Sequence, residues 1–227
     1  MKLILVRHGH PDYTNDCLTP LGHEQAEKAA LRLKDEGIGQ IFSSPFGRAQ
    51  ETALHTAKLL SLGVETVDFM REIKWGSSDG NAVFADGHPW DTSLYAVAQG
   101  HSLMEEGWTK QPPFCNNLVF GEIQRVAEQS DEWMNSLGYT REGANYRVTG
   151  ECTNRTIALF SHGGSSSALL SHLLNLPFFY LCRAICPDFT AITVLSLSDV
   201  KGTLTAPMIE LANDSRHIRS GGVSYAM

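Results

Sequence analysis

Two histidines each follow a short apolar segment that has the composition of a buried strand. Residues 3–6 read LILV and lead into Arg7 and His8, and residues 156–161 read TIALFS and lead into His162. A short, continuously apolar run that is ended by turn residues is typical of a strand in a parallel sheet. Ligands of such sheets collect beyond the carboxyl ends of the strands, so we expect both histidines to share one crevice.

An arginine and a carboxylate are predicted to reach the same crevice. Arg48 lies about one turn into a predicted helix after the second strand, and Glu72 lies just after the third strand. Guanidinium groups make forked, charge-assisted hydrogen bonds to phosphate oxygens. A neutral imidazole can act as a covalent nucleophile, a second imidazole can donate a hydrogen bond, and a carboxylic acid can protonate a leaving oxygen. The set favours phosphoryl transfer, with the backbone N–H groups of Gly163 and Gly164 as further anion donors.

The elements that must position these side chains alternate between strand and helix. Thr19 is the predicted cap of a helix that begins at Pro20 and stops at Gly37. A second helix repeats this pattern, with its cap, its start and its stop at Ser44, Pro45 and Gly63. Further helices are predicted over residues 117–138 and 163–176. This alternation predicts an α/β layer fold with a mainly parallel sheet.

Residues 75–115 depart from this alternation. The segment combines Gly, Pro, Asp and Ser with six aromatic residues, namely Trp75, Phe84, Trp90, Tyr95, Trp108 and Phe114. A structureless connection of this length is uncommon inside a compact domain, so we interpret it as a lid-like insertion with short helices of its own. Its aromatic residues favour local core over a substrate platform. We expect residues 1–227 to form one domain that includes this insertion.

The C-terminal part of the chain carries two further expectations. Residues 189–198 and 203–211 are predicted to pair as a late hairpin across the Lys201–Gly202 turn. The last dozen residues are polar and glycine-rich, and we expect them to fray.

Five sequence blocks follow one another in a characteristic order. They are LVRHG at residues 5–9, LTPLGHEQA at 18–26, SSPFGRAQETA at 43–53, E-x-x-W-G starting at Glu72, and SHGG at 161–164. Together these blocks resemble the histidine phosphatase superfamily in its first, phosphoglycerate-mutase-like branch. The resemblance implies a three-layer α/β/α sandwich and a reaction without a metal or another cofactor. It further implies that His8 becomes phosphohistidine, that Arg7, Arg48 and His162 bind the phosphoryl group, and that Glu72 is the proton donor.

The segment after RHG departs from the family pattern. Family mutases often carry a glutamate there and an asparagine four residues later, whereas this chain has His10 and Thr14 at these positions. We expect Thr14 to supply the missing phosphate contact, with its neighbour Asn15 as the alternative. Of the other histidines, His10 and His88 are the candidates for lining the pocket.

A second departure bears on the acid and on the activity. His162 is followed by Gly163, whereas an aspartate at this place marks the acid-phosphatase and phytase branch. This favours Glu72 as the acid over three nearby carboxylates, Asp68, Asp79 and Asp86. The mutase-like elements for a carboxylate-bearing second substrate are not visible in the sequence. We therefore expect a phosphomonoesterase for a small phosphorylated metabolite, with transfer of the phosphoglycerate mutase type as the alternative.

Two more remote alternatives come from other classes of protein. GGSSS at residues 163–167 resembles the strand–elbow–helix of a serine hydrolase, with Ser165 as nucleophile and His217 as base. That reading leaves RHG and the Arg48 block unexplained. A non-catalytic protein that binds phosphorylated ligands is the other alternative, but it does not require the complete set of His8, Glu72 and arginines.

The composition limits the partners of the protein. A net charge of −7 disfavours nucleic-acid and anionic-membrane binding, so we expect neither partner. No apolar stretch approaches the length of a membrane span. The cysteines are odd in number and scattered, which favours reduced thiols and a cytoplasmic enzyme; they are Cys17, Cys115, Cys152, Cys182 and Cys186. The oligomeric state is open, with a homodimer as one candidate.

Overall fold

A computed structural model describes residues 1–151 and 155–219 of the chain. Its strands are β1 (Lys2–Arg7), β2 (Pro11–Asp12), β3 (Cys17–Leu18), β4 (Ile38–Ser43), β5 (Val64–Thr66), β6 (Tyr139–Glu142), β7 (Asn145–Val148), β8 (Thr156–Ser161), β9 (Ile192–Ser196), β10 (Leu204–Thr205) and β11 (Met208–Asp214). The main sheet has the order β11-β9-β1-β8-β4-β5. In it, β1, β8, β4 and β5 run parallel, and β9 runs antiparallel to β1. The predicted mainly parallel sheet is confirmed.

Helices cover both faces of this sheet. They are α1 (Pro20–Leu33), α2 (Gly47–Leu60), α3 (Pro89–Ala98), α4 (Val119–Ser136), α5 (Gly163–Leu174) and α6 (Phe178–Ala184). No helix within the described ranges is long and apolar enough to span a bilayer. The helix predicted over residues 117–138 corresponds to α4, and the one predicted over residues 163–176 corresponds to α5.

The side chains of β1 alternate between two apolar cores. Leu3 and Leu5 pack into the core that contains the buried residues of α4, α5 and α6. Ile4 and Val6 pack into the second core, which includes residues of α1 and α2 such as Leu33. Because successive side chains of a strand point to opposite faces, a strand in the middle of a layered fold must be apolar on both. The three-layer α/β/α arrangement predicted from the sequence is confirmed.

The pairing of β1 with β8 aligns the two segments that carry the histidines. Arg7 and Ser161 are register partners at the carboxyl ends of these strands. The backbone N–H of His8 then donates to the carbonyl oxygen of Ser161 at 2.9 Å. The next strand, β4, ends beside them, with the N–H of Ser44 donating to the carbonyl of Phe160 at 2.9 Å. The residues after three parallel strands therefore converge at one edge of the sheet.

The start of α1 follows the sequence prediction, but the start of α2 does not. The hydroxyl of Thr19 accepts a hydrogen bond from the N–H of Gly22, and Pro20 is the first helical residue. By contrast, α2 begins at Gly47 and Phe46 occupies its cap position. The prediction that Ser44 caps this helix is wrong, because the Ser44 hydroxyl lies 2.7 Å from the ring nitrogen Nε2 of His162.

Both helices also end earlier than predicted. The helix α1 ends at Leu33, four residues before Gly37. The helix α2 ends at Leu60, and Ser61 rather than Gly63 takes the left-handed conformation that terminates it, with φ of 57°. Its backbone N–H reaches back to the carbonyl oxygens of the last helical turn.

The insertion contains short helices, as predicted. Besides α3, a single turn of 3₁₀ helix occurs at Gly107–Lys110, whereas Phe84–Gly87 form a turn in which Ala85 and Asp86 take positive φ. Trp108 and Phe114 are buried and belong to the main core, and the Trp108 ring lies 5.2 Å from that of Phe179 in α6. These two rings are core, as the sequence favours. Other aromatic residues of the insertion line the site described below.

The C-terminal strands are paired differently from the prediction. The strand β9 does pair antiparallel with β11, so the two expected partners are correct. The residues directly after the Lys201–Gly202 turn, however, form β10, which pairs with β7 in a second sheet of order β10-β7-β6. The β6–β7 hairpin is not anticipated from the sequence. Of the residues expected to fray, Arg216–Ile218 form a 3₁₀ turn and residues 220–227 lie outside the described part of the chain.

The first turn of α1 packs tightly against the loop that follows β1. A side chain added at Gly22 would lie 2.2 Å from the carbonyl oxygen of His10, and one added at Gly9 would lie 2.6 Å from the carbonyl oxygen of Gly22. Both contacts are with backbone, which cannot move aside as a flexible side chain does. The close approach therefore holds the RHG loop against α1.

Gly22→Ala is expected to destabilise the fold by about 1–3 kcal/mol, because the overpacking outweighs the better helix propensity of alanine. Gly39→Ala is the matched control, since nothing lies within 4 Å of the added methyl group there. The control should stay within about 0.5 kcal/mol of the parent. Urea unfolding monitored by circular dichroism measures both. Equal stability of the two variants would contradict the close packing.

Candidate active site

His8 is buried directly after β1 and is held in one tautomer. Its side chain is 1% exposed. Its Nδ1 atom lies 2.7 Å from the carbonyl oxygen of Gly9. Because a carbonyl can only accept, Nδ1 carries the proton and Nε2 keeps its lone pair. Burial, helped by the charges of Arg7 and Arg48, lowers the pKa of His8 to about 3. The ring is thus a neutral base with a free Nε2.

The second histidine faces the first. The ring centroids of His8 and His162 are 5.2 Å apart. The Nε2 atom of His162 pairs with the hydroxyl of Ser44, which also accepts from the N–H of Phe46. Because that hydroxyl accepts from Phe46, its own O–H is available to donate a hydrogen bond to Nε2. The ring proton of His162 then resides on Nδ1, which is buried without a protein partner. Burial, followed by the positive groups nearby, holds the pKa of His162 well below its usual range. His162 therefore has a hydrogen-bond donor to offer.

Two arginines complete a cluster of anion donors. One amino group of Arg7 donates a hydrogen bond to the carbonyl oxygen of Pro187. The guanidinium carbon of Arg7 lies 4.4 Å from the ring centre of Phe189. Arg48, from the first turn of α2, is 7% exposed and donates to the carboxylate of Asp16. The Nε atoms of both arginines are buried without a partner. Unpaired buried donors are costly, so the cluster favours an anion that accepts from them.

Glu72 lies at the N-terminus of α5. Its Oε1 accepts from the backbone N–H groups of Ile73 at 3.0 Å and Ser165 at 2.8 Å, and its Oε2 accepts from Gly164 at 3.3 Å. Burial raises the pKa of Glu72, and these N–H donors offset the effect only in part. Oε1 accepts two of these N–H groups and Oε2 accepts one, so Oε2 is the oxygen better placed to carry a proton. Glu72 thus has the properties of a general acid.

The two arginines and Glu72 border a cavity of about 740 Å³, whose described lining residues do not include the buried rings of His8 and His162. Of the site residues predicted from the sequence, Arg7, Arg48, Glu72 and Gly163 line it. His88 lines it too, whereas the Nδ1 atom of His10 lies 3.0 Å from the hydroxyl of Thr19. The three alternative carboxylates are not among the described residues that line the cavity; they are Asp68, Asp79 and Asp86.

The segment expected to supply a further phosphate contact forms an exposed turn. The backbone N–H groups of Thr14 and Asn15 both donate to the carboxylate of Asp12. Neither residue is among the described residues that line the cavity, but Tyr13 is. Asp16 follows Tyr13 by three residues, and its carboxylate accepts a hydrogen bond from Arg48.

The residues of the serine hydrolase alternative are placed unfavourably for that chemistry. Ser165 is fully buried, and its hydroxyl lies 2.7 Å from that of Ser161. The candidate base, His217, pairs with the hydroxyl of Thr190 instead. A nucleophile elbow needs an exposed hydroxyl next to its base, and this pair does not provide one.

Among the described residues, Cys186 is the one cysteine that lines the cavity. Cys17, Cys115, Cys182 and Cys186 are free thiols, and Cys152 lies outside the described residues. Across residues 1–151 and 155–219, no group of three or more His, Cys, Asp or Glu side chains is arranged to hold a metal ion.

The sequence resemblance to a known family is supported by comparison with known proteins. The family model of the histidine phosphatase superfamily (branch 1) matches residues 3–107. The probable phosphoglycerate mutase GpmB of Yersinia pestis (strain Pestoides F) is 30% identical over 187 residues, which span 78% of this chain and 76% of that protein. Its counterpart from Yersinia enterocolitica is 28% identical over 186 residues. The chain belongs to the histidine phosphatase superfamily, branch 1, and is an enzyme.

Solved structures with the same fold include several hydrolases. Mycobacterial hydrolase 2 superposes with a TM-score of 0.64 at 25% identity, covering 98% of this chain and 92% of its own. A mycobacterial glucosyl-3-phosphoglycerate phosphatase with inorganic phosphate gives 0.64 at 23% identity, covering 96% and 99%. The phosphoserine phosphatase of Entamoeba histolytica with 3-phosphoglyceric acid gives 0.63 at 22% identity, with the same coverage. The predicted phosphoglycerate-mutase-like fold is confirmed.

Several residues that contact the site are not predicted from the sequence to have a role there. Tyr13 and Phe46 both contact Arg48, with the guanidinium carbon 5.3 Å and 4.9 Å from their ring centres. Asp16 and Ser44 hold Arg48 and His162. Phe46 had a usable signal, because it lies inside the SSPFGRAQETA block. Asp16 had none, since its contact depends on how the turn folds.

His8 is expected to stay neutral, with its proton on Nδ1, from about pH 7 down to about pH 4, because its pKa is lowered to about 3. Long-range ¹H–¹⁵N correlation spectra of the ligand-free enzyme measure the tautomer and the titration. The His8 signals are assigned by comparison with His8→Gln. A ring that gains its second proton near pH 6.5, the ordinary histidine value, would contradict the arrangement.

Proposed function

We propose that the protein is a phosphomonoesterase that forms a phosphohistidine at Nε2 of His8. The observation that carries this proposal is the hydrogen bond from Nδ1 of His8 to the carbonyl of Gly9. It leaves the lone pair on Nε2, in a buried ring flanked by two arginines and His162. A neutral, oriented imidazole beside fixed positive charge is what attack on a phosphoryl group requires.

In the first step, the lone pair of Nε2 forms a bond to phosphorus while the bond from phosphorus to the leaving oxygen breaks. Arg7, Arg48 and His162 donate hydrogen bonds to the phosphoryl oxygens and stabilise their charge in the transition state. The proton on Oε2 of Glu72 moves to the leaving oxygen, so that a neutral alcohol departs. Glu72 becomes a carboxylate, stabilised by the three backbone N–H donors around it.

In the second step, Glu72 acts as a base. A water molecule attacks phosphorus as one of its protons moves to the carboxylate, and the bond between phosphorus and Nε2 breaks. Phosphate leaves, and both His8 and Glu72 return to their starting protonation states. One carboxyl group thus serves as acid and then as base, which microscopic reversibility permits.

Hydrolysis is favoured over mutase chemistry by two observations. The elements that family mutases use for a second carboxylate-bearing substrate are not visible in the sequence, and a hydrolase is among the structures with 25% identity. The alternative rests on the Yersinia relatives, whose names describe probable phosphoglycerate mutases. We further propose a small phosphorylated metabolite as substrate, one domain over residues 1–227 and a cytoplasmic location.

His8→Ala is expected to abolish phosphate release and the labelled intermediate, because it removes the imidazole that accepts the phosphoryl group in the proposed first step. The parent enzyme, given ³²P-labelled substrate and quenched in alkali, should retain acid-labile label on the protein. With 3-phosphoglycerate and 2,3-bisphosphoglycerate, the products should be mainly inorganic phosphate. Dominant interconversion of 2- and 3-phosphoglycerate would instead establish the mutase alternative. Undiminished activity of His8→Ala would exclude the phosphohistidine.

Glu72→Gln is expected to lower kcat about 10²- to 10⁴-fold for alkyl phosphates, whose leaving oxygens need a proton. The loss should be much smaller for the first step with 4-nitrophenyl phosphate, because nitrophenolate departs without protonation. The burst of nitrophenol in stopped-flow measurements isolates that step. Glu65→Gln, an exposed substitution on β5, is the control. A loss of the same size for both substrate types would mean that Glu72 is not the acid.

A further inference from the structure

The cavity extends well beyond the group that binds phosphate. Its volume of about 740 Å³ falls in the range of sites for drug-sized ligands, about 300–1,000 Å³. Arg7, Arg48 and Glu72 form only part of its lining, so the other lining residues border the space available to the leaving group. The side chains that border this space therefore set which alcohols the site accepts.

One wall of that space is aromatic and continuous. The rings of Trp75 and His88 are 5.4 Å apart, and those of His88 and Trp90 are 5.6 Å apart. The indole of Trp90 ends 3.4 Å from the point where a side chain on Gly163 would begin. This aromatic wall, formed by Trp75, His88 and Trp90, therefore runs from the mouth of the cavity to the N-terminus of α5.

Two more rings border the cavity. Tyr13 and Phe46 line it, and both contact the guanidinium of Arg48. Tyr13 is 67% exposed and Trp75 is 36% exposed, so large ring surfaces remain in contact with water. Aromatic rings offer such surface to other rings through offset or edge-to-face packing.

The charges around the cavity exclude one of the two ligand types that aromatic walls bind. Aromatic cages also bind quaternary ammonium groups. Here the lining includes three cations, Arg7, Arg48 and Lys74. Among the described lining residues, Glu72 supplies the one carboxylate, and its oxygens accept from backbone N–H groups. Two further carboxylates lie behind the lining, but Asp16 pairs with Arg48 and Asp91 pairs with His88. The three cations therefore disfavour a cationic leaving group more than an uncharged ring.

We propose that the substrates of this enzyme are phosphomonoesters of alcohols that carry an aromatic ring, and that the ring packs against the aromatic wall. This proposal rests on the proposed phosphatase activity. It assigns to Trp75 and Trp90 a role in specificity that the phosphoryl-transfer steps do not require.

The experiment compares 2-phenylethyl phosphate with ethyl phosphate, because both release a primary alkanol and differ mainly in the ring. The parent enzyme is expected to show a kcat/KM at least about tenfold higher for the phenyl compound. Choline phosphate, which places a cation where the ring would be, should be the poorest of the three. A preference for choline phosphate, or equal rates for the phenyl and ethyl compounds, would overturn the proposal.

Trp75→Ala tests the wall directly, since Trp75 is partly exposed and its loss spares the core. The ratio of kcat/KM for phenylethyl over ethyl phosphate should fall about tenfold, and Trp75→Phe should restore much of it. Tyr180→Ala, which removes a 39% exposed ring outside the cavity lining, is the control and should keep the parent ratio. An unchanged ratio in Trp75→Ala would refute the role of the wall.

Failure of this proposal can be separated from failure of the proposed function. If the parent enzyme releases phosphate from ethyl and phenylethyl phosphate equally and His8→Ala releases none, the phosphatase assignment stands and the aromatic preference is wrong. If the parent enzyme hydrolyses none of the three esters and only interconverts phosphoglycerates, both are wrong.

Discussion

The register between β1 and β8 places Arg7 beside Ser161, and the residues that follow, His8 and His162, emerge side by side. This alignment is held by packing far from the site. A shift of one residue along β1 would exchange the side chains that face the two cores, since side chains alternate along a strand. The distance between the two imidazole rings is therefore set by the apolar layers on both faces of the sheet.

Burial at this edge has opposite effects on the two groups that exchange protons. It lowers the pKa of His8, because the charged imidazolium is poorly solvated in the interior. It raises the pKa of Glu72, because the charged carboxylate is poorly solvated there as well. One physical cause thus favours both the neutral imidazole and the protonated carboxyl group. The protein carries a net charge of −7, so the positive end of this cavity is a local property of Arg7 and Arg48.

The parts of the site that could be predicted are those encoded in adjacent residues. Arg7, His8 and His162 follow strands whose apolar composition is evident, and Thr19 caps a helix three residues ahead of its partner. The contacts of Ser44 and Asp16 could not be predicted in this way. Their partners, His162 and Arg48, lie 118 and 32 residues away along the chain, and only folding brings them together. The β6–β7 hairpin had a usable signal in the sequence, namely the glycine at position 143. Glycine is favoured where a turn needs positive φ, and Gly143 takes a φ of 62° in this turn.

The ion pair between Arg48 and Asp16 affects how strongly this site attracts an anion. Asp16 is partly exposed, with 41% of its side chain accessible, and its two oxygens accept from Arg48 and from the N–H of Gly47. The Nε donor of Arg48 has no partner, so the same guanidinium can hold Asp16 and a phosphoryl oxygen at once. The carboxylate offsets part of the positive charge of Arg48. The net attraction for free phosphate is therefore smaller than the number of cations suggests.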